Sequence, residues 1–63
     1  MNILEFDVDE LYNFLLDFEM FTEDELQLVT NLNGYLFSTL MDCLYIRYGI
    51  TNLQQLQEEF EEV

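Results

Sequence analysis

Phe21-Thr22-Glu23-Asp24-Glu25-Leu26 spells out the start of an α-helix in six residues. Thr22 can accept a hydrogen bond from the free amide three residues on, and Glu25 can reach back to the amide of Thr22, which together make a capping box. Phe21 and Leu26 stand at the two positions of a hydrophobic staple, which fixes the angle at which the chain enters the helix. Three acids in the first turn also oppose the positive end of the helix dipole.

The same signal recurs upstream. Asp7-Val8-Asp9-Glu10 offers Asp7 as cap and Glu10 as its partner. Val8, Leu11, Leu15 and Phe18 then follow at helical spacing as one apolar stripe, widened by Tyr12, Phe14 and Leu16. Downstream, Leu26, Val29, Leu32, Leu36, Leu40, Leu44 and Tyr48 keep a helical period, with Asn33-Gly34 inside it. Two readings fit: one long helix through Gly34, or two helices divided near Asn33. The turn preference of Asn-Gly tips the reading towards a break. Arg47-Tyr48-Gly49 places a cation in a last turn and a glycine at the left-handed stop position. Thr51-Asn52-Leu53-Gln54 opens a final helix as a further capping box, with Leu53, Leu56, Phe60 and Val63 on one side. With no Pro and 2 Gly, the expected fold is all-α, a small bundle of three or four short helices. It is one small acidic domain over residues 1–63, with the apolar central segment as a surface for homodimer formation.

Charge sets the functional expectation. The chain holds 14 Asp and Glu against one basic residue, Arg47, has no His, and carries a formal net charge of −13. Self-repulsion on that scale opposes compaction, yet 51% of the residues are hydrophobic, with 6 Phe and 4 Tyr, so this is no disordered acidic tail. The acids are segregated. Glu5, Asp7, Asp9, Glu10, Asp17, Glu19, Glu23, Asp24 and Glu25 precede the centre, Glu58, Glu59, Glu61 and Glu62 close the chain, and only Asp42 and Arg47 lie between.

Familiar catalysis is poorly supplied. Without His there is no ordinary acid–base group for neutral pH, Cys43 sits in an apolar stretch as a buried structural thiol, and Ser38 has no general base. Asp7-x-Asp9-Glu10 and Glu23-Asp24-Glu25 offer hard oxygen ligands, but helix capping explains both clusters and no calcium loop is present. One Cys and no His leave no zinc site. No cofactor is expected. Direct nucleic-acid binding is excluded for a chain with one basic side chain. Anionic lipid repels it, no stretch is long enough to span a membrane, and the N-terminus lacks the basic region of a signal peptide. The expected setting is cytoplasmic.

Carboxylates spaced along helices can stand in for a phosphate backbone and occupy the Lys and Arg groups that would otherwise hold it. The expected function is therefore that of a non-enzymatic protein-binding protein. It would inhibit or modulate a basic, nucleic-acid-handling partner as a DNA mimic, of the size found among phage inhibitors. The partner-binding residues are Asp7, Asp9, Glu10, Asp17, Glu19, Glu23 and Asp24, with Glu58, Glu59, Glu61 and Glu62 second. Two other readings share the composition. The chain can be a self-associating assembly protein whose acids only solubilise it, or an adaptor that docks its final helix into a groove through Leu53, Leu56 and Phe60. Tyr12, Tyr35, Tyr45 and Tyr48 suit interfaces as well as cores.

Like-charge repulsion at neutral pH has a direct readout. Raising NaCl from about 0.05 to 0.5 M at pH 7 shortens the screening length several-fold, and the melting temperature followed by circular dichroism rises with it. A midpoint unmoved by salt would mean that the acids are compensated within the fold.

Overall fold

Side-chain caps decide where three of the four helices begin. The computed structural model describes residues 2–60, in which a 3₁₀ turn (Ile3–Glu5) leads to α1 (Val8–Asp17), α2 (Glu23–Asn33), α3 (Phe37–Tyr48) and α4 (Leu53–Phe60). Among the described residues there is no strand. The all-helical small bundle expected from the sequence is the fold found.

Both upstream capping boxes form. The Glu10 amide donates to Asp7 Oδ1 at 2.9 Å and the Asp7 amide to Glu10 Oε1 at 3.1 Å. At α2 the Glu25 amide donates to Thr22 Oγ1 at 3.1 Å, and the Thr22 amide to Glu25 Oε1 at 3.0 Å. The α4 cap is displaced by one residue from the sequence expectation. Asn52, not Thr51, receives the third amide, that of Gln55, at 2.9 Å. Gln55, not Gln54, reaches back, and it takes the Thr51 amide at 2.6 Å. Thr51/Gln54 and Asn52/Gln55 share the same three-residue spacing, and Asn is the better cap of the two.

The division between α2 and α3 comes from Gly34, whose φ of 104° and ψ of 152° lie where side chains with a Cβ are excluded. The break near Asn33 is therefore real, and α3 resumes the apolar stripe beyond it. Leu26, Leu40 and Leu44 reach the core, while Leu32 is 74% and Leu36 54% exposed. Gly49 closes α3 in the left-handed conformation, φ 72°, with its amide on the Tyr45 carbonyl at 2.9 Å.

Each helix contributes leucine to one centre: Leu11 and Leu15 from α1, Leu26 from α2, Leu40 and Leu44 from α3, and Leu56 from α4 are fully buried. α3 packs against both α1 and α2, and α4 packs against the N-terminal turn, where Ile3 is buried. Phe14 joins these layers. Its ring lies 5.4 Å from Phe6, 4.4 Å in a stack from Phe18, and 5.3 Å edge-on from Phe60. Phe14 thus takes the core position that the stripe assigned to Phe18, which is half exposed.

The end of α1 carries a conflict. The Met20 amide donates to the Leu15 carbonyl at 3.0 Å and the Glu19 amide to the Leu16 carbonyl at 3.1 Å, which is the bond pattern of a Schellman stop. The residue that must turn left-handed is Glu19, at φ 56°, where glycine is the usual occupant. Two substitutions at the left-handed positions should therefore move stability in opposite directions. Glu19→Gly stabilises the fold by about 0.5–1 kcal/mol, the difference between relieved strain and the greater entropy of unfolded glycine. Gly34→Ala destabilises it by about 1–3 kcal/mol. Urea denaturation at fixed salt measures both, and a destabilised Glu19→Gly protein would contradict the assignment of strain.

Candidate functional site

Apart from exposed Asp42 on α3, the carboxylates fall into two groups at opposite ends of α1, a helix about 15 Å long at 1.5 Å per residue. Asp7 caps its start, and Asp9 and Glu10 occupy its first turn. Asp7 and Glu10 are engaged in the capping box, and Asp9 Oδ1 accepts the Tyr35 hydroxyl at 2.5 Å from the connection between α2 and α3. That bond, with the Asp9 charge beside it, pushes the Tyr35 phenol up to about 12. The Tyr35 ring also packs 5.4 Å from Tyr12.

The other group lies around the end of α1 and the turn into α2, with the end of α4 packed on Phe18 beside them. Asp17 is the last residue of α1, Glu19 lies in the turn, and Glu23 and Asp24 open α2. All four side chains are exposed. α4 arrives at the same place because Phe60 sits 5.2 Å from the ring of Phe18, and Glu59 borders a cavity of about 300 Å³ that Met20 also lines. Glu58 and Glu59 are exposed beside it. Glu61 and Glu62 lie outside the described residues.

One carboxylate of this region is paired within the chain. Arg47, on the last turn of α3, holds Glu25 with both nitrogens: Nη2 donates to Oε2 at 2.6 Å and Nη1 to Oε1 at 3.1 Å. Nη1 also donates to the Met20 carbonyl at 3.3 Å, and the guanidinium lies 4.6 Å over the Phe21 ring. Tyr48 adds a hydroxyl bond to the same Met20 carbonyl at 2.8 Å. The arginine beside it holds the Glu25 carboxyl at about 2, below its usual 4.5, and the Thr22 amide contributes in the same direction. Asp42, five residues before Arg47, is not its partner, because that spacing does not bring two side chains together on a helix.

The sequence marked Glu25 only as half of a capping box and Arg47 only as a helix terminator. A sole cation in so acidic a chain had to find a carboxylate, and that signal was there to use. Which carboxylate it would be depended on the angle at which α3 returns past α2.

The remaining chemistry is sparse. Among the described residues, no group of three His, Cys, Asp or Glu is placed to hold a metal ion, and no helix is long and apolar enough to cross a membrane. Cys43 is half buried, and burial pushes its thiol up, away from the reactive thiolate. The 300 Å³ cavity, bounded by Met20, Tyr48, Ile50, Glu59 and Phe60, holds one carboxylate and no complementary base. The apolar face of α4 is used within the fold: Leu56 is fully buried and Leu53 half buried. Comparison with protein families, with curated proteins and with solved structures finds no match to this chain.

Glu25→Gln separates the ion pair from the cap, since glutamine still accepts the Thr22 amide. Glu25 binds its proton less readily in the folded state than in the unfolded one, so the pair stabilises above the unfolded value of 4.5 and loses its effect as pH falls towards about 2. The difference in melting temperature between parent and Glu25→Gln should hold steady above about pH 5 and close between there and pH 2. A difference independent of pH would remove the ion pair from the account of stability.

Proposed function

We propose that this chain is a non-enzymatic binding protein that covers a basic surface of a nucleic-acid-handling protein with the acids at the α1–α2 turn. The observation that carries the reading is the placement of Asp17 and Glu19. Capping and the helix dipole account for Asp7, Glu10, Glu23, Asp24 and Glu25, which therefore say little about a partner. They do not account for Asp17, which faces the negative end of the α1 dipole, or for Glu19, a left-handed non-glycine. Two neighbouring acids held where folding disfavours them are the mark of a site kept for another purpose.

Supply of counter-charge supports the same reading. The one cation is bound to Glu25, and the sequence holds no Lys or His. Any cation that answers Asp17, Glu19, Glu23, Asp24, Glu58 and Glu59 comes from outside the chain. Arginine answers a carboxylate in two parallel hydrogen bonds, and nucleic-acid-binding surfaces present arginine and lysine in quantity. Occlusion of such a surface needs charge and shape, with no bond made or broken.

Immobilised protein tests this by capture from a lysate of its source cell, with a salt gradient and with duplex DNA as competitor. The expected result is one basic nucleic-acid-binding protein, released by roughly 0.3 M salt as surface charge is screened and displaced by DNA. The Asp17→Asn/Glu19→Gln double variant should retain it at least tenfold less well. Retention indifferent to salt, or undiminished in the double variant, would overturn the proposal.

A further inference from the structure

The cavity of about 300 Å³ is bounded by Met20, Tyr48, Ile50, Glu59 and Phe60. Met20 and Ile50 are buried, whereas Tyr48, Glu59 and Phe60 are exposed. Solvent therefore reaches it past two aromatic rings and a carboxylate, over an apolar floor. Its volume lies at the lower end of the roughly 300–1,000 Å³ of ligand pockets, which is room for one side chain and not for a folded segment.

We infer that this cavity receives a single arginine side chain of the basic partner, its guanidinium paired with Glu59 and set against the rings of Tyr48 and Phe60. For the source of the arginine, the inference rests on the function proposed above. The occupant follows from charge complementarity. An apolar guest would strip water from the Glu59 carboxylate and return nothing for it. An anion would be repelled, and a metal ion needs more oxygen ligands than one carboxylate supplies. A cation offsets the lost hydration. Among cations, a guanidinium is planar and weakly hydrated, donates two parallel hydrogen bonds to a carboxylate and stacks on aromatic faces. A lysine ammonium is compact and strongly hydrated, and needs further acceptors. The Met20 carbonyl is already taken by Arg47 and by the Tyr48 hydroxyl.

The molecule already holds one arginine in this way. Arg47 pairs both nitrogens with Glu25 and lies 4.6 Å over the Phe21 ring. Glu59 with Tyr48 and Phe60 repeats that set of a carboxylate and an aromatic surface. Met20 takes part in both, through its carbonyl at Arg47 and as lining of the cavity. The first set is filled from within. The sequence has no further Arg and no Lys, so the second is filled from outside.

The test is an NMR titration of the full chain, carrying methyl-labelled methionine, with a blocked arginine, N-acetyl-arginine methylamide. Met20 lines the cavity and Met41, on α3, does not. In about 0.05 M NaCl, where charge is least screened, the Met20 methyl should shift saturably while Met41 holds still. The dissociation constant should be on the order of 1–10 mM, as befits so small a ligand. The blocked lysine and the uncharged citrulline counterpart should bind at least fivefold more weakly. Glu59→Gln, at an exposed position, and Phe60→Leu should each weaken the arginine at least fivefold. Asp42→Asn, which removes the same charge from α3, should leave it within twofold. An unshifted Met20 methyl would overturn the inference. So would a shift that citrulline matches, or that Asp42→Asn reduces as much as Glu59→Gln does. Lysate capture keeps the two proposals apart, and Glu59→Gln should retain the captured protein at least threefold less well. A basic partner captured without any Met20 response to arginine sinks the slot alone. A Met20 response with no partner captured upholds the slot and sinks the function proposed above.

Discussion

Arg47 is the one fixed point to which three separate segments of this molecule are tied. Its guanidinium grips the first turn of α2 through Glu25, the α1–α2 turn through the Met20 carbonyl, and the staple residue Phe21 through its ring face. The side chains of Arg47 and Glu25 keep 44% and 40% exposure, so the Coulombic part of the bond is screened and modest. Its larger role is geometric. A planar fork that holds two carboxylate oxygens and a carbonyl is satisfied only at the angle with which α3 returns past α2, and so favours the packing that buries Leu26, Leu40 and Leu44.

The carboxylates then separate by what holds them. Those at helix starts are part of how the chain folds: they satisfy amides that no turn of helix supplies and oppose the dipole. Asp9 is linked to Tyr35 and so to the α2–α3 connection. Asp17 and Glu19 stand apart, because the local backbone would be more stable with other residues at both places. A protein of this size has little stability to spare, which makes such a pair informative where a count of acids is not.

Most of the architecture was legible because it is written in local signals. The Asp7/Glu10 and Thr22/Glu25 boxes act over three residues, and Gly34 and Gly49 act through their own dihedral angles, so no knowledge of the tertiary fold is required to read them. The reading failed where two local solutions had equal spacing, as at Asn52, and where register depends on a break. Leu36 continues the period of Leu26 in one dimension, yet the turn at Gly34 leaves it in the connection, while Leu32, six residues past Leu26 on the same helix, already stands about 120° from the buried side. The candidate site was legible as a set of acids but not as a place. That the end of α4 lies beside the end of α1 follows from Phe60 packing on Phe18 and from nothing visible along the chain.

The contact between α4 and the turn at Ile3–Glu5 has a kinetic meaning. It joins segments some fifty residues apart, and closing a loop of that length costs on the order of 3 kcal/mol in chain entropy, while α2 and α3 meet across a short connection and α1 reaches α3 across the length of α2 alone. Docking of α4 is therefore the late event of folding, and its detachment the lowest-energy opening of the native state. Each opening uncovers Ile3, Leu56 and the rings of Phe14 and Phe60 together, so the same excursion that admits hydrogen exchange at α4 also presents the stickiest surface the molecule possesses.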